Sequence, residues 1–477
     1  MRRTKILATI GPASESKAVL SKMVKAGVNA VRCNFSHGTA DDHRKRVQLV
    51  REVAKTQGVH IGILADLQGP KIRVAKFKDK RVVLKKGADF ILDADMDREA
   101  GDEKAVGIDY KALPKDVTKG DILLLDDGKI VLVVDEVRGN KVHCKVKVGG
   151  KLSNNKGINK KGGGLTAPAL TEKDKEDIKT AAMLEVDYVA VSFPRDRKDL
   201  EYARKLLTEA GSKAGIVAKV ERAEAVSNIE AIIQASDAVM VARGDLAVEI
   251  GDENVPAVQK MIIRRARQMD KIAITATQMM ESMIHSSAPT RAEVSDVANA
   301  VLDGTDAVML SAESAAGSYP VETVSVMARV CEAAENNDLV DIVSRDTMSN
   351  NHERIDESVA NAAVYLANHV KAKAIISLTE SGSTALWMSR INTRLPIYAL
   401  SRNTSTLGKM TLCRGVVPIE FDSTRMARFY VNREASLELE KRKAVKQGDW
   451  IILTSGDHMG VHGGTNKIKV IQVGNVV

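Results

Sequence analysis

Eight short runs of apolar, largely β-branched residues set the strongest limit on how this chain can fold. They are TKILATIG (4–11), NAVRCNFS (29–36), HIGILADL (60–67), DYVAVSF (187–193), GIVAKVE (215–221), DAVMVARGD (237–245), KIAITATQ (271–278) and DAVMLSAE (306–313). The stretches between them, such as SKAVLSKMVKAG, EYARKLLTEAG and PAVQKMIIRRARQMD, repeat apolar residues at helical spacing. Strands that alternate with helices build a parallel sheet. Eight such units predict an α/β fold closed into a (β/α)8 TIM barrel, because an open doubly wound sheet stops nearer about six strands.

One interval breaks the rhythm. Residues 71–168 carry short β patterns, RVVLKKGADFIL, DILLLDDGKIVLVVDEV and KVHCKVKV, and DDGK between two of them predicts a hairpin turn. This is a β-rich insertion after the third strand, at the barrel end where active sites sit, and it is placed to act as a lid. Another block starts near residue 344, where helical and strand patterns alternate again. The expected domains are a barrel (1–70 and 169–343), a lid (71–168) and a C-terminal α/β domain (344–477). A chain of 477 residues is long enough for two or three domains.

Composition excludes several classes of function. No apolar run approaches the roughly 18 residues of a membrane span, and MRRTKILATIGPAS reads as a first strand because no cleavage site follows it. Cys33, Cys144, Cys331 and Cys413 lie far apart and form no CxxC pair, which fits a reducing cytoplasm. The formal charge of +9 raises nucleic acid as a partner. Most of the basic residues are interleaved with acids, as in EKDKEDIK, and aromatics make up 3%, too few for base stacking. The stretch 71–86, with eight Lys or Arg against Asp79, suits a solvated hairpin or a small anion better than a nucleic acid.

The strand ends are conspicuously polar. Strand two ends in Arg32, Asn34 and Ser36, and strand three in Asp66, followed by Lys71 and Arg73. Strand five carries Lys219 and Glu221, strand six Arg243 and Asp245, strand seven Thr277, and strand eight Ser311 and Glu313. A single pair such as Lys219 and Glu221 is equally well an inter-strand salt bridge. So many polar ends around one rim point instead to a charged ligand. Glu221 and Asp245 on neighbouring strands suit Mg2+, and Arg32 and Arg73 offer planar forks for phosphate. Lys219 is a point charge for a phosphoryl group in transit, and Thr277 a hydroxyl for a proton path. Together they describe phosphoryl transfer without a P-loop, since no GxxxxGK[ST] occurs. The MMESM run (279–283) reads as core packing.

The segments TIGPAS, VRCNFSHG, DLQGPKIR, VARGDLAVEIG, TATQMMESM, PTRAEVSDVANAVLDGTDAVMLSAE and ESGSTA, in this order, closely resemble pyruvate kinases. The resemblance implies a barrel, a mobile lid, a C-terminal domain, a homotetramer, and transfer of phosphate from phosphoenolpyruvate to ADP with Mg2+, or Mn2+ in its place. It assigns Arg32 and Lys219 to the phosphoryl group, Glu221 and Asp245 to the metal, and Gly244 and Asp245 to the substrate carboxylate. Thr277 is set beside the methylene carbon, and Arg73 and Lys156 at the nucleotide phosphates. Asn34, Ser36, Asp66 and the carbonyl of Leu67 match a K+ pocket of many members. Here Lys71 stands where those members carry Glu, so its ammonium is expected at or near that pocket, making K+ dispensable. Thr379, Ser381, Gly382, Ser383 and Thr384 open a helix and are expected to bind a phosphorylated sugar or nucleotide effector. Ser383 replaces an Arg common in bacterial members.

Overall fold

The computed structural model describes residues 1–337, 354–391, 393–457 and 463–475. The eight apolar runs all become strands: Lys5–Thr9, Ala30–Asn34, Gly62–Asp66, Tyr188–Val191, Gly215–Val220, Ala238–Ala242, Ile272–Ala276 and Ala307–Leu310. Each pairs in parallel with its neighbours, and the first closes on the eighth. The expected TIM barrel is therefore the fold. Three intervening helices begin with reciprocal caps, Thr39 with Asp42, Thr171 with Asp174 and Thr290 with Glu293. In each, the threonine oxygen and the acid satisfy amide donors that the first turn leaves open.

The strands end sooner than the sequence runs suggest. Arg243 and Asp245 lie in the first turn of helix Arg243–Ile250, and Glu313 lies in the short helix Ala312–Ala315. The two-residue alternation of a strand does not govern where these side chains point.

After the third strand the chain leaves the barrel and forms a six-stranded sheet and a two-stranded one. Ile122–Leu125 pairs antiparallel with Ile130–Arg138, and Asp126–Lys129 make the predicted turn. Asp126, Asp127 and Gly128 all have positive φ (50°, 56° and 85°), the handedness that suits the twist of a hairpin. Phe90, Leu92, Leu123, Leu125, Leu132 and Val142 give this insertion its own core.

The C-terminal block is a five-stranded sheet in the order Val416–Glu420, Ile397–Ser401, Ala374–Leu378, Trp450–Gly456 and Thr465–Gln472. Its core runs into the lower interior of the barrel. Leu7, Leu64, Val217, Met240 and Ile274 share one apolar cluster with Ala363, Val364, Ala385 and Met388. This domain closes the bottom of the barrel, and the β-rich insertion lies at the top. The expected boundary near residue 344 lies outside the described residues. No described helix is long and apolar enough to cross a membrane.

Candidate active site

The top of the barrel holds a compact ionic network. Arg32, on the second strand, donates from Nε to Asp66 Oδ2 at 2.6 Å and from Nη1 to Thr9 Oγ1 at 3.2 Å. Lys219, near the end of the fifth strand, places Nζ 3.2 Å from Asp66 Oδ1 and 3.0 Å from Glu221 Oε1. Its third partner is the Ser192 hydroxyl, at 2.7 Å. That hydroxyl donates onward to the Leu67 carbonyl at 2.7 Å. Glu221, one residue beyond its strand, accepts the Phe193 amide at 2.8 Å.

Burial and pairing compete at each of these groups. Burial pulls the Lys219 ammonium down, but Asp66 and Glu221 outweigh it and leave its pKa raised. Burial pushes Asp66 up, and Lys219 with Arg32 reverse that, so it is held below the usual carboxylate range. Glu221 ends above its ordinary value, through burial first and then, against the pull of Lys219, the negative charge of Asp245. Two carboxylates that repel each other this way form a natural seat for a divalent cation.

The donor set fits Mg2+ on a second count. The Lys71 ammonium lies 3.1 Å from Asp245 Oδ1, so a positive charge already stands at this carboxylate. No group of three or more His, Cys, Asp or Glu among the described residues could hold a metal by itself. A two-carboxylate seat relies on water and substrate oxygens for its other ligands, as Mg2+ does.

Lys71 is where the sequence reading and the geometry part. It was expected beside Asp66, whose carboxylate is taken by Arg32 and Lys219, and it pairs with Asp245 instead. The other residues of the expected K+ pocket bond internally. Asn34 Oδ1 accepts the Ser36 amide at 3.1 Å, and the Asp66 carbonyl accepts the Phe35 amide at 2.9 Å.

Thr277 follows the seventh strand. Its hydroxyl accepts the Gly244 amide at 2.9 Å and donates to the Ala276 carbonyl at 2.7 Å. The Gly244 amide, expected at a substrate carboxylate, is thus engaged with Thr277. Arg73 and Lys156 stay within the insertion: Arg73 donates to the Asn155 carbonyl at 2.9 Å, and Lys156 pairs with Asp126 at 2.8 Å. A cleft of about 580 Å³ lies between the two parts. It is lined by Leu124, Asp127, Gly128 and Lys161 on the insertion side and by Gly244, Asp245 and Gln278 on the barrel side.

Ser192 has no counterpart in the sequence reading. It stands directly after the fourth strand, a polar residue at an apolar strand's end, which is the signal that identified its neighbours. Met279, Met280 and Met283 are fully buried, as the core-packing reading held.

The C-terminal domain has a separate pocket of about 520 Å³. Thr379, Ser381, Ser383 and Thr384 line it together with Arg402, Lys467 and Lys469. Gly382 caps helix Ser383–Arg390 in a left-handed conformation (φ 86°), and its amide donates to Thr379 Oγ1 at 2.9 Å. The Thr384 hydroxyl is bonded to Thr465 at 2.8 Å.

Comparison with known proteins agrees with this architecture. The family model for the pyruvate kinase barrel domain matches residues 1–324, and that for the pyruvate kinase alpha/beta domain matches residues 357–471. Pyruvate kinase II of Salmonella typhimurium is 56% identical over 477 residues, covering 99% of each chain. A pyruvate kinase of Haemophilus influenzae is 56% identical over 460 residues, covering 96% of each. The crystal structure of a pyruvate kinase from Cryptosporidium parvum superposes with a TM-score of 0.94 at 33% identity, covering 99% of this chain and 96% of that one.

Proposed function

The chain belongs to the pyruvate kinase family, and from that premise we propose how its own residues move a phosphoryl group from phosphoenolpyruvate to ADP. The observation that carries the proposal is the Lys219 ammonium, fixed among Asp66, Glu221 and Ser192. A charge held on three sides can meet a phosphoryl group in transit without reorganising. Arg32, anchored on Asp66, takes the phosphoryl group in the ground state. Glu221 and Asp245 hold Mg2+, or Mn2+ in its place. Bound there, such an ion would supply Lewis-acid neutralisation of phosphoryl charge. Gly244 and Asp245 border the substrate carboxylate, and Thr277 stands where the departing enolate takes up its proton to become pyruvate. Arg73 and Lys156 serve the nucleotide phosphates, which requires them to exchange their present partners on the lid for ADP.

We propose in addition that K+ is dispensable. Asp66 already carries two fixed cations, the Leu67 carbonyl and Asn34 Oδ1 each accept an internal donor, and Lys71 brings a further charge to the same mouth. The deciding measurement is ATP formation from phosphoenolpyruvate and ADP with Mg2+ in K+-free tetramethylammonium buffer, repeated with K+. Near-full activity without K+ supports both parts, and a Lys71→Glu variant is then expected to acquire a K+ requirement. Activity that appears with K+ alone overturns the second part and keeps the first.

The C-terminal pocket supports an allosteric site for a phosphorylated sugar or nucleotide, since hydroxyls, an arginine and two lysines share its walls with a helix start. If such compounds leave the phosphoenolpyruvate saturation curve unchanged, and Thr384→Ala does too, the pocket is structural. We place the enzyme in the cytoplasm, where its four free, buried cysteines stay reduced, and assign it a homotetrameric state that sedimentation can test.

A further inference from the structure

Arg243 reads from sequence as one more cation on the barrel rim. The structure gives it other work. Its Nη1 lies 2.7 Å from Asp296 Oδ1, on helix Arg291–Leu302. Its Nη2 donates to the Thr277 carbonyl at 2.6 Å, the Gln278 carbonyl at 3.2 Å and Met279 Sδ at 2.9 Å. Its Nε reaches the Ala276 and Thr277 carbonyls at 3.3 and 3.2 Å. These acceptors occupy a group with five N–H donors, and the side chain is buried, 9% exposed. Little of it is left for a ligand.

The turn it grips is strained. Thr277 and Gln278 are consecutive non-glycine residues with φ of 66° and 55°, a left-handed conformation that a Cβ disfavours. Such a turn persists where its surroundings hold it. Here Arg243 binds its carbonyls from one side, and the next residue's amide, Gly244 N, donates to Thr277 Oγ1 from the other. The Thr277 hydroxyl is thereby fixed in direction.

Resting on the reading that Thr277 stands where the enolate is protonated, we propose that Arg243, braced by Asp296, is the positioning residue for that proton transfer. In the step it serves, the electron pair of the enolate's C2–C3 double bond takes a proton that comes from solvent water at C3, and the C2–C3 bond becomes single. The enolate oxygen's electron pair makes C2–O the carbonyl of pyruvate, with hydroxide left to the solvent. Phosphoryl binding, which rests on Arg32 and Lys219, does not pass through Arg243.

The test separates these two parts. Exchange of the pyruvate methyl protons with solvent deuterium, followed by NMR in the presence of Mg2+ and ATP, reads the C3 step. Calorimetric titration with phosphoenolpyruvate reads binding. Arg243→Met is expected to slow exchange tenfold or more while the affinity for phosphoenolpyruvate stays within threefold, and Arg243→Lys to recover part of the exchange. Asp296→Asn, at a side chain 37% exposed, covers the case in which Arg243→Met does not fold, and is expected to slow exchange at least threefold. Exchange at the native rate in Arg243→Lys and Asp296→Asn overturns the proposal, as does a parallel loss of exchange and affinity. A native protein that makes no ATP and exchanges no protons overturns the reaction assignment, and this proposal with it.

Discussion

Ser192 Oγ accepts a hydrogen bond from Lys219 Nζ and donates its own to the Leu67 carbonyl, each at 2.7 Å. Alanine in its place leaves a buried carbonyl without a donor and lets the ammonium lean toward one carboxylate. The cost of such an orphaned group, about 1–3 kcal/mol, corresponds to roughly a five- to 150-fold loss if it falls on the transition state. Ser192→Ala is therefore expected to lower kcat by about tenfold or more, with KM for phosphoenolpyruvate nearly constant. Steady-state kinetics check this, and an unchanged kcat would mean that the two carboxylates suffice to hold Lys219.

Lys219 itself tests the charge balance of the site. Removing it leaves Asp66 with Arg32 and strips Glu221 of its cation. Breaking a buried pair on one side costs about 3–5 kcal/mol, because the surviving charge stays buried. Lys219→Met is expected to abolish turnover and to lower stability in urea by about that amount. The double variant Lys219→Met/Glu221→Gln removes both charges. It should recover part of the stability and none of the activity. A double variant no more stable than the single one would show that Glu221 does not depend on Lys219.

The parts of this site that sequence made visible were those fixed by local pattern. Strand periodicity places Arg32, Asp66 and Lys219 at one rim, because each sits on or at the end of a strand between buried apolar neighbours. The pattern failed where the chain changed state within a residue or two. Arg243 and Asp245 continue an apolar run, yet the backbone is already helical, so they lie in a helix and not on strand six. Lys71 could not be matched to Asp245 from spacing, since 174 residues separate them and the contact depends on how the insertion sits over the barrel. Helix Thr404–Met410, TSTLGKM, has a weak sequence signal because it is short and a glycine interrupts its apolar pattern.

That helix packs tightly against the barrel. A Cβ on Gly408 would overlap the Asp187 carboxylate at the foot of the fourth strand. Alanine favours a helix over glycine by about 1 kcal/mol, so the exchange would ordinarily stabilise. Here the overlap decides the sign. Gly408→Ala is expected to lower stability by about 1–3 kcal/mol, and Asp187→Ala in the same chain to restore much of it. Thermal melting of the single and double variants is the measurement. A more stable single variant would show that the two elements can separate at no cost.

Asp187 also gives this junction a pH dependence. Its carboxylate accepts the Ile63 amide at 2.8 Å, and burial pushes its pKa up to about 7, with the amide, Arg51 and Lys409 pulling the other way. The Asp187 side chain keeps an edge partly open to solvent, but the packing of Gly408 leaves its Oδ1 little room for water. A carboxyl whose folded pKa lies above its unfolded value of roughly 3.9 binds more protons in the native state. Its stabilising contribution is complete below the unfolded value and is lost as pH rises through about 7. Melting temperature should therefore decline from the mildly acidic range toward pH 8, and Asp187→Asn should flatten that decline. Glu249, which burial also pushes up to about 7, titrates in the same window, but it is present in both proteins and cancels in their difference. Parallel melting curves for the native protein and Asp187→Asn across this range would show that Asp187 is already ionised in the folded state, and the link between pH and this domain contact would fall.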